Sequence, residues 1–180
     1  WLEDDNSMET KAWVASENKT TNQYLSQIIY RDKVKERLTA LWNFDKMSTP
    51  FKKGKLFFSF RNNGLQNQSV LYSQSSLLDN PTVVLDLNTL SNDGTVSLSG
   101  MDISKDGNYL AYGISKSGSD WVEIHVKNIQ TKEELKDVIK WVKFSGIAWK
   151  GNGFYYSRYD EPSGDKTYTQ KNEFHKVYYH

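Results

Sequence analysis

Apolar residues follow two different patterns along this chain. Up to about residue 45 they are spaced three and four apart among polar ones. Beyond Asn43 they gather in short aromatic and β-branched runs separated by Gly, Asn, Asp and Ser. The first pattern predicts two amphipathic helices. Ser7 is placed to cap one running through Met8, Ala12 and Ala15 toward Tyr24 and Leu25, its hydroxyl accepting from an orphan amide of the first turn. After a break near Ile29 and Tyr30, Arg31 to Trp42 sets Val34, Leu38 and Leu41 on one stripe with charges opposite.

The second pattern predicts strands at Leu56 to Phe60, Val70 to Gln74, Val83 to Asp86, Tyr109 to Ser115, Trp121 to Lys127, Phe154 to Arg158 and Lys176 to His180. Within it one arrangement occurs three times, at Pro50 to Phe58, Ile103 to Tyr112 and Ala148 to Tyr156: a strand, a polar turn containing Gly, then an aromatic-rich strand. Glycine supplies the positive φ such turns need. The spacing of roughly fifty residues is that of a four-stranded propeller blade. Unrelated hairpins in a β-sandwich are the alternative. Blades bury their faces only by stacking, so an incomplete set leaves an open face and an unpaired edge. The natural chain is therefore expected to continue past His180, and the 180 residues alone to oligomerise or aggregate. A start at Trp1 rather than Met is likewise expected of a processed chain or a fragment.

Composition narrows the function. With 23 Lys and Arg against 22 Asp and Glu, the formal net charge of +1 gives no field to draw in nucleic acid or anionic lipid. The one basic run, Lys52-Lys53-Gly54-Lys55, reads as a solvated turn. The absence of cysteine excludes disulfides, thiolate metal sites and a cysteine nucleophile within these residues. No apolar run approaches the roughly 18 residues a membrane span requires.

Catalytic patterns are missing. No Gly-x-Ser-x-Gly elbow occurs, and Ser117-Gly118-Ser119-Asp120 reads as a hairpin loop. His125, His175 and His180, the only histidines, lack the spacing of a zinc site and read as structural. Glu3-Asp4-Asp5 precedes a helix, where the helix dipole favours negative charge. The tripeptides Asn18-Lys19-Thr20 and Asn67-Gln68-Ser69 fit a glycosylation sequon that arises often by chance. No catalytic residue, metal ligand or cofactor is nominated.

Several segments resemble the prolyl oligopeptidase family, closest to its bacterial members. They are Trp1-Leu2-Glu3-Asp4, Phe51-Lys52-Lys53-Gly54-Lys55, Gly64 to Tyr72, Leu90 to Thr95, Ser117-Gly118-Ser119-Asp120-Trp121, Val142-Lys143-Phe144-Ser145 and Lys176-Val177-Tyr178-Tyr179-His180. The resemblance implies a soluble, cytoplasmic or periplasmic serine endopeptidase that cleaves short peptides after proline. An α/β-hydrolase domain, absent here, would be covered by a seven-bladed propeller.

The implied fold is mainly β with N-terminal helices, a partial β-propeller containing the first two to three of seven blades. Residues 1–45 would be a helical extension packing with the hydrolase domain, and 46–180 the start of the propeller. The family's catalytic triad would lie downstream, leaving these residues inactive alone. The implied partners are short proline-containing peptides and the hydrolase domain, with no cofactor, nucleic acid or membrane.

Two side chains take roles from the resemblance. Phe144 would line an outer substrate subsite; from the residues alone the favoured reading is a strand phenylalanine packed in a blade core. Asp120 would sit on the propeller rim facing the hydrolase domain; from the residues alone it is a loop aspartate capping a turn amide. Asp160 to Lys171 reads as a variable loop. The competing function is a non-catalytic propeller module that binds another chain through its open strand edge.

Overall fold

In a computed structural model, residues 1–164 and 167–180 are described. They form two compact units, Trp1–Phe44 and Asp45–His180.

The first unit holds two helices, α1 (Met8–Ser26) and α2 (Arg31–Trp42). Ser7 is the N-cap of α1: its Oγ accepts the Thr10 amide at 3.1 Å. Thr10, the buried residue of this helix, donates its hydroxyl to the Trp1 carbonyl at 3.0 Å, and Trp1 packs edge-on against Trp13. Asp4 of the acidic run accepts the amides of Asn6 and Ser7, so this carboxylate organises the approach to the helix. The α2 stripe Val34, Leu38 and Leu41 is exposed.

The second unit is built from antiparallel strands. The first group comprises β1 (Lys46–Met47), β2 (Phe51–Lys53), β3 (Leu56–Asn62), β4 (Val70–Gln74) and β5 (Thr82–Leu85), followed by a 3₁₀ turn at Leu87–Thr89. The second comprises β6 (Val96–Ile103), β7 (Tyr109–Lys116), β8 (Val122–Asn128) and β9 (Glu134–Val142). The third comprises β10 (Ala148–Lys150), β11 (Gly153–Arg158) and β12 (Lys176–Tyr179). Each group is a meander of sequential neighbours, β2 through β5, β6 through β9, and β10 through β12. The second and third meet through a single pair, Arg158 with Val142. The result is two four-stranded blades and the opening of a third, as the fifty-residue repeat implied.

The recurring hairpins are β2–β3, β6–β7 and β10–β11, with Gly54, Gly107 and Gly151 at positive φ in their turns. In the middle turn, Ser104 Oγ donates to Asp106 Oδ1 at 2.6 Å and accepts the amides of Asn108 and Tyr109. The Ser104 hydroxyl, and after it the Asn108 amide donating to Asp106 Oδ1, hold the Asp106 carboxyl below the usual carboxylate range.

Stacked blades require strands buried on both faces, and β7 is such a strand. Leu110, Tyr112 and Ile114 join Phe58, Leu71, Val84 and Leu85 in a core between the first and second blades. Ala111 faces the other way, into a core with Ile124, Val126, Ile139, Val142, Phe154 and Tyr156 between the second and third. Alternate residues serve different neighbours, which is why β7 reads as a continuous apolar run rather than an alternation.

One carboxylate ties the first strands of all three blades together. Asp102 on β6 accepts Lys53 Nζ from β2 at 2.9 Å and the Trp149 amide from β10 at 3.3 Å. Its backbone carbonyl accepts Trp149 Nε1 at 2.9 Å. The lysine run therefore departs from a merely solvated turn: Lys53 is an interblade anchor, and Lys52 lies over the Phe57 ring. Replacing Asp102 with alanine is expected to cost about 1–2 kcal/mol, because Lys53 and the Trp149 amide lose their acceptor at a partly exposed site. Asp102→Asn, which keeps one acceptor oxygen, should lose less. Urea unfolding followed by tryptophan fluorescence measures the difference.

Candidate functional site

Phe144 and Asp120 lie on neighbouring loops at one end of the second blade, Asp120 between β7 and β8, Phe144 after β9. Phe144 is not in a blade core. Its φ is +54° and its side chain is 76% exposed, while Val142 and Phe154 take the buried positions nearby. The core alternative for Phe144 is overturned. A bulky residue with left-handed φ is uncommon and holds that backbone only where its surroundings impose it. Ser145 supplies one constraint: its Oγ accepts the Ser157 amide of β11 at 2.7 Å and donates to the Gly146 carbonyl.

Asp120 does not cap the turn. Ser119 Oγ accepts the Trp121 amide at 3.1 Å, and Asp120 pairs instead with Lys143, Nζ to Oδ2 at 3.5 Å. The same ammonium lies 5.0 Å from the Trp121 ring centre and 5.3 Å from that of Phe144. Lys143 thus joins the two residues singled out by resemblance, and its side chain is only 15% exposed. Sequence reasoning overlooked Lys143, although it stands beside Phe144 in the Val142-Lys143-Phe144-Ser145 segment. A cleft of about 320 Å³ opens here, lined chiefly by Ser99, Ser115, Ser119, Asp120, Phe144 and Ser145.

Aromatic side chains back the site. Trp121 meets Trp141 and Tyr159 edge-on at 5.6 and 6.2 Å, and its indole N–H donates to the Thr167 carbonyl at 2.9 Å. Tyr159 stacks on His175 at 4.4 Å. The chain expected to be a variable loop thus touches the ring beside Lys143 through Thr167; residues 165 and 166 of that expectation lie outside the described residues.

Among the described residues no hydrogen bond joins a histidine to a serine. His125, on β8, stacks on Tyr112 and lies 3.8 Å from Glu123. The Tyr112 hydroxyl donates to Glu134, and burial pushes its pKa well up. His180 contacts the Phe154 ring and lies 3.8 Å from Asp137. A second cleft, of about 600 Å³ and including Ser104, Asp106, Tyr109, Trp149 and His180, is at the opposite, Gly-turn end. Its Ser104 hydroxyl is already committed within the turn, so it offers no free nucleophile. Among the described residues no group of three His, Cys, Asp or Glu could hold a metal ion, and no helix is long and apolar enough to cross a membrane.

The family described as "Prolyl oligopeptidase, N-terminal beta-propeller domain" matches residues 1–180. This chain belongs to that family. It is 46% identical to the prolyl endopeptidase of Elizabethkingia meningoseptica over 181 residues, spanning 100% of this chain and 26% of the relative. It is 37% identical to that of Dictyostelium discoideum over 227 residues, spanning 99% of this chain and 30% of the relative. Among solved structures it resembles a prolyl endopeptidase from a study of interdomain dynamics, with a TM-score of 0.89 and 28% identity over 100% of this chain and 27% of that one. It also resembles prolyl oligopeptidase B of Galerina marginata bound to a 25mer macrocyclization substrate, with a TM-score of 0.85 and 29% identity over 100% of this chain and 28% of that one. The chain spans about a quarter of the length of the curated bacterial relatives it matches. The two blades and the opening of a third are thus part of a prolyl oligopeptidase propeller.

Proposed function

We propose that these residues open the propeller of a serine-type endopeptidase that cleaves short peptides after proline. The observation that carries the reading is similarity to prolyl endopeptidases along the whole chain. Acyl transfer needs a nucleophile, a base and an oxyanion hole, and no Gly-x-Ser-x-Gly elbow occurs in the 180 residues. Their role is then to bind and admit substrate: the propeller restricts entry to short peptides, and the chain alone has no peptidase activity. Residues 1–45 pack with the hydrolase domain, a placement supported by the uncovered Val34, Leu38 and Leu41 stripe.

Phe144 forms an outer wall of the peptide site and Asp120 faces the hydrolase domain across the rim. Their support is the rim placement, with Phe144 held outward and Asp120 largely exposed. The test is cleavage of a chromogenic peptide with proline at the scissile position by the full-length native protein. Phe144→Ala is expected to raise KM about three- to tenfold for peptides reaching the outer subsite, with kcat within about twofold, because an aromatic contact made equally in ground and transition states is lost. Absence of post-proline cleavage, with a native mass near 20.9 kDa, would favour the binding-module alternative.

A further inference from the structure

The rim holds an arrangement that the peptidase reading leaves unexplained. Phe144 keeps a left-handed φ of +54° with its ring largely in solvent, where burial cannot enforce it. Such a backbone persists when neighbouring groups over-determine it. Two neighbours are available. Ser145, anchored to the Ser157 amide, fixes the chain after Phe144. Lys143 acts from before it: its ammonium approaches the Phe144 ring at 5.3 Å, the Trp121 ring at 5.0 Å and the Asp120 carboxylate at 3.5 Å.

These contacts have a direction. Trp121 is fixed by its own hydrogen bonds, from its amide to Ser119 and from its indole to Thr167, and by edge contacts with Trp141 and Tyr159. The ammonium therefore lies between a carboxylate and an indole held by hydrogen bonds, and the exposed Phe144 ring is the neighbour that it can hold. Attraction between a cation and an aromatic face strengthens as the cation leaves water, and Lys143 is 15% exposed.

We propose that Lys143 is a positioning residue, whose ammonium fixes the Phe144 ring in its outward rim conformation before a peptide arrives. The proposal rests on the reading of Phe144 as a wall of the peptide site. An exposed aromatic free to rotate must be ordered on binding, at a cost in affinity; one already held does not carry that cost. Lys143 acts through Phe144 and takes no part in bond cleavage.

The experiment is a double-mutant cycle in the full-length enzyme, with short post-proline substrates that do and do not reach the outer subsite. Lys143→Met is expected to raise KM about three- to tenfold for the longer peptides only, leaving kcat within about twofold. Lys143→Arg, which keeps the charge, should restore KM to within about twofold. On a Phe144→Ala background, Lys143→Met should add nothing further. A Lys143→Met KM equal to the parent's, alongside a raised KM for Phe144→Ala, overturns the proposal and leaves the peptide-wall reading standing. No effect of Phe144→Ala removes both. Full additivity of the two changes also overturns the proposal, because Lys143 would then act independently of the ring. Should Lys143→Met fail to fold by near-UV circular dichroism, Lys143→Gln is read in the same cycle with the same criteria.

Discussion

Gly54→Ala is expected to destabilise the propeller by about 2–5 kcal/mol, through two effects acting on one atom. Gly54 has φ +59°, a left-handed conformation that costs an L-residue roughly 1–2 kcal/mol. A Cβ there would also lie 2.0 Å from the Asp106 carbonyl oxygen and 2.5 Å from its carbon, both backbone atoms of the next blade's turn. Neither can swing aside like a side chain, so the first two blades must separate locally, an overpacking cost of about 1–3 kcal/mol. Gly118 provides the control. It too has positive φ, +73°, but an added Cβ meets nothing within 4 Å, so Gly118→Ala should cost the conformational part alone. Urea midpoints for both variants measure the gap. Equal losses would show that the first two blades do not rely on close approach at their turns.

That close approach was only half legible in the sequence. Recurrence of a Gly-containing turn before an aromatic strand identified the hairpins. That the first two turns touch depends on the stacking of blades, which no local pattern encodes. The strands follow the same division. Tyr109 to Ser115 and Phe154 to Arg158 were recognisable because they are apolar and aromatic. β6 was not assigned as a strand along its length, because Ser97, Ser99 and Gly100 interrupt its apolar residues and its pairing shifts register between Leu98 and Gly100. β9 escaped for the opposite reason: its Glu134, Lys136, Asp137 and Lys140 give it a charged, largely exposed surface, and its pairing with β8 is irregular.

The candidate site was legible by resemblance rather than by chemistry. A Phe after a strand and an Asp in a Ser/Gly loop carry no mark of function, and residue type alone favoured burial of Phe144. What sets it apart is a left-handed backbone and a lysine shared with Asp120 from another loop. Both are tertiary facts. The pairing of Lys53 with Asp102 is of the same kind, joining residues of different blades at 2.9 Å.

Loss of the Phe154 ring is expected to weaken the join between the second and third blades more than any polar change considered above. Phe154 is 1% exposed, and its ring meets those of Trp149, Tyr156 and His180 at 5.2, 5.9 and 5.5 Å. Strand pairing adds little at this junction, since β9 and β11 share only the Arg158–Val142 pair; beyond the Trp149–Asp102 hydrogen bonds, side-chain packing must carry it. Phe154→Ala should therefore cost about 3–5 kcal/mol, from lost transfer energy and the cavity left behind. Tyr155, next on the same strand, points the other way and is 46% exposed, so Tyr155→Ala should cost below about 1.5 kcal/mol despite its contact with Tyr179. Unfolding midpoints of the two variants in the native protein decide the matter. A comparable loss for both would mean that the third blade is held by its later strands. A loss confined to Phe154 places the strength of the junction in a single aromatic cluster, with the period-2 alternation of β11 deciding which ring belongs to it.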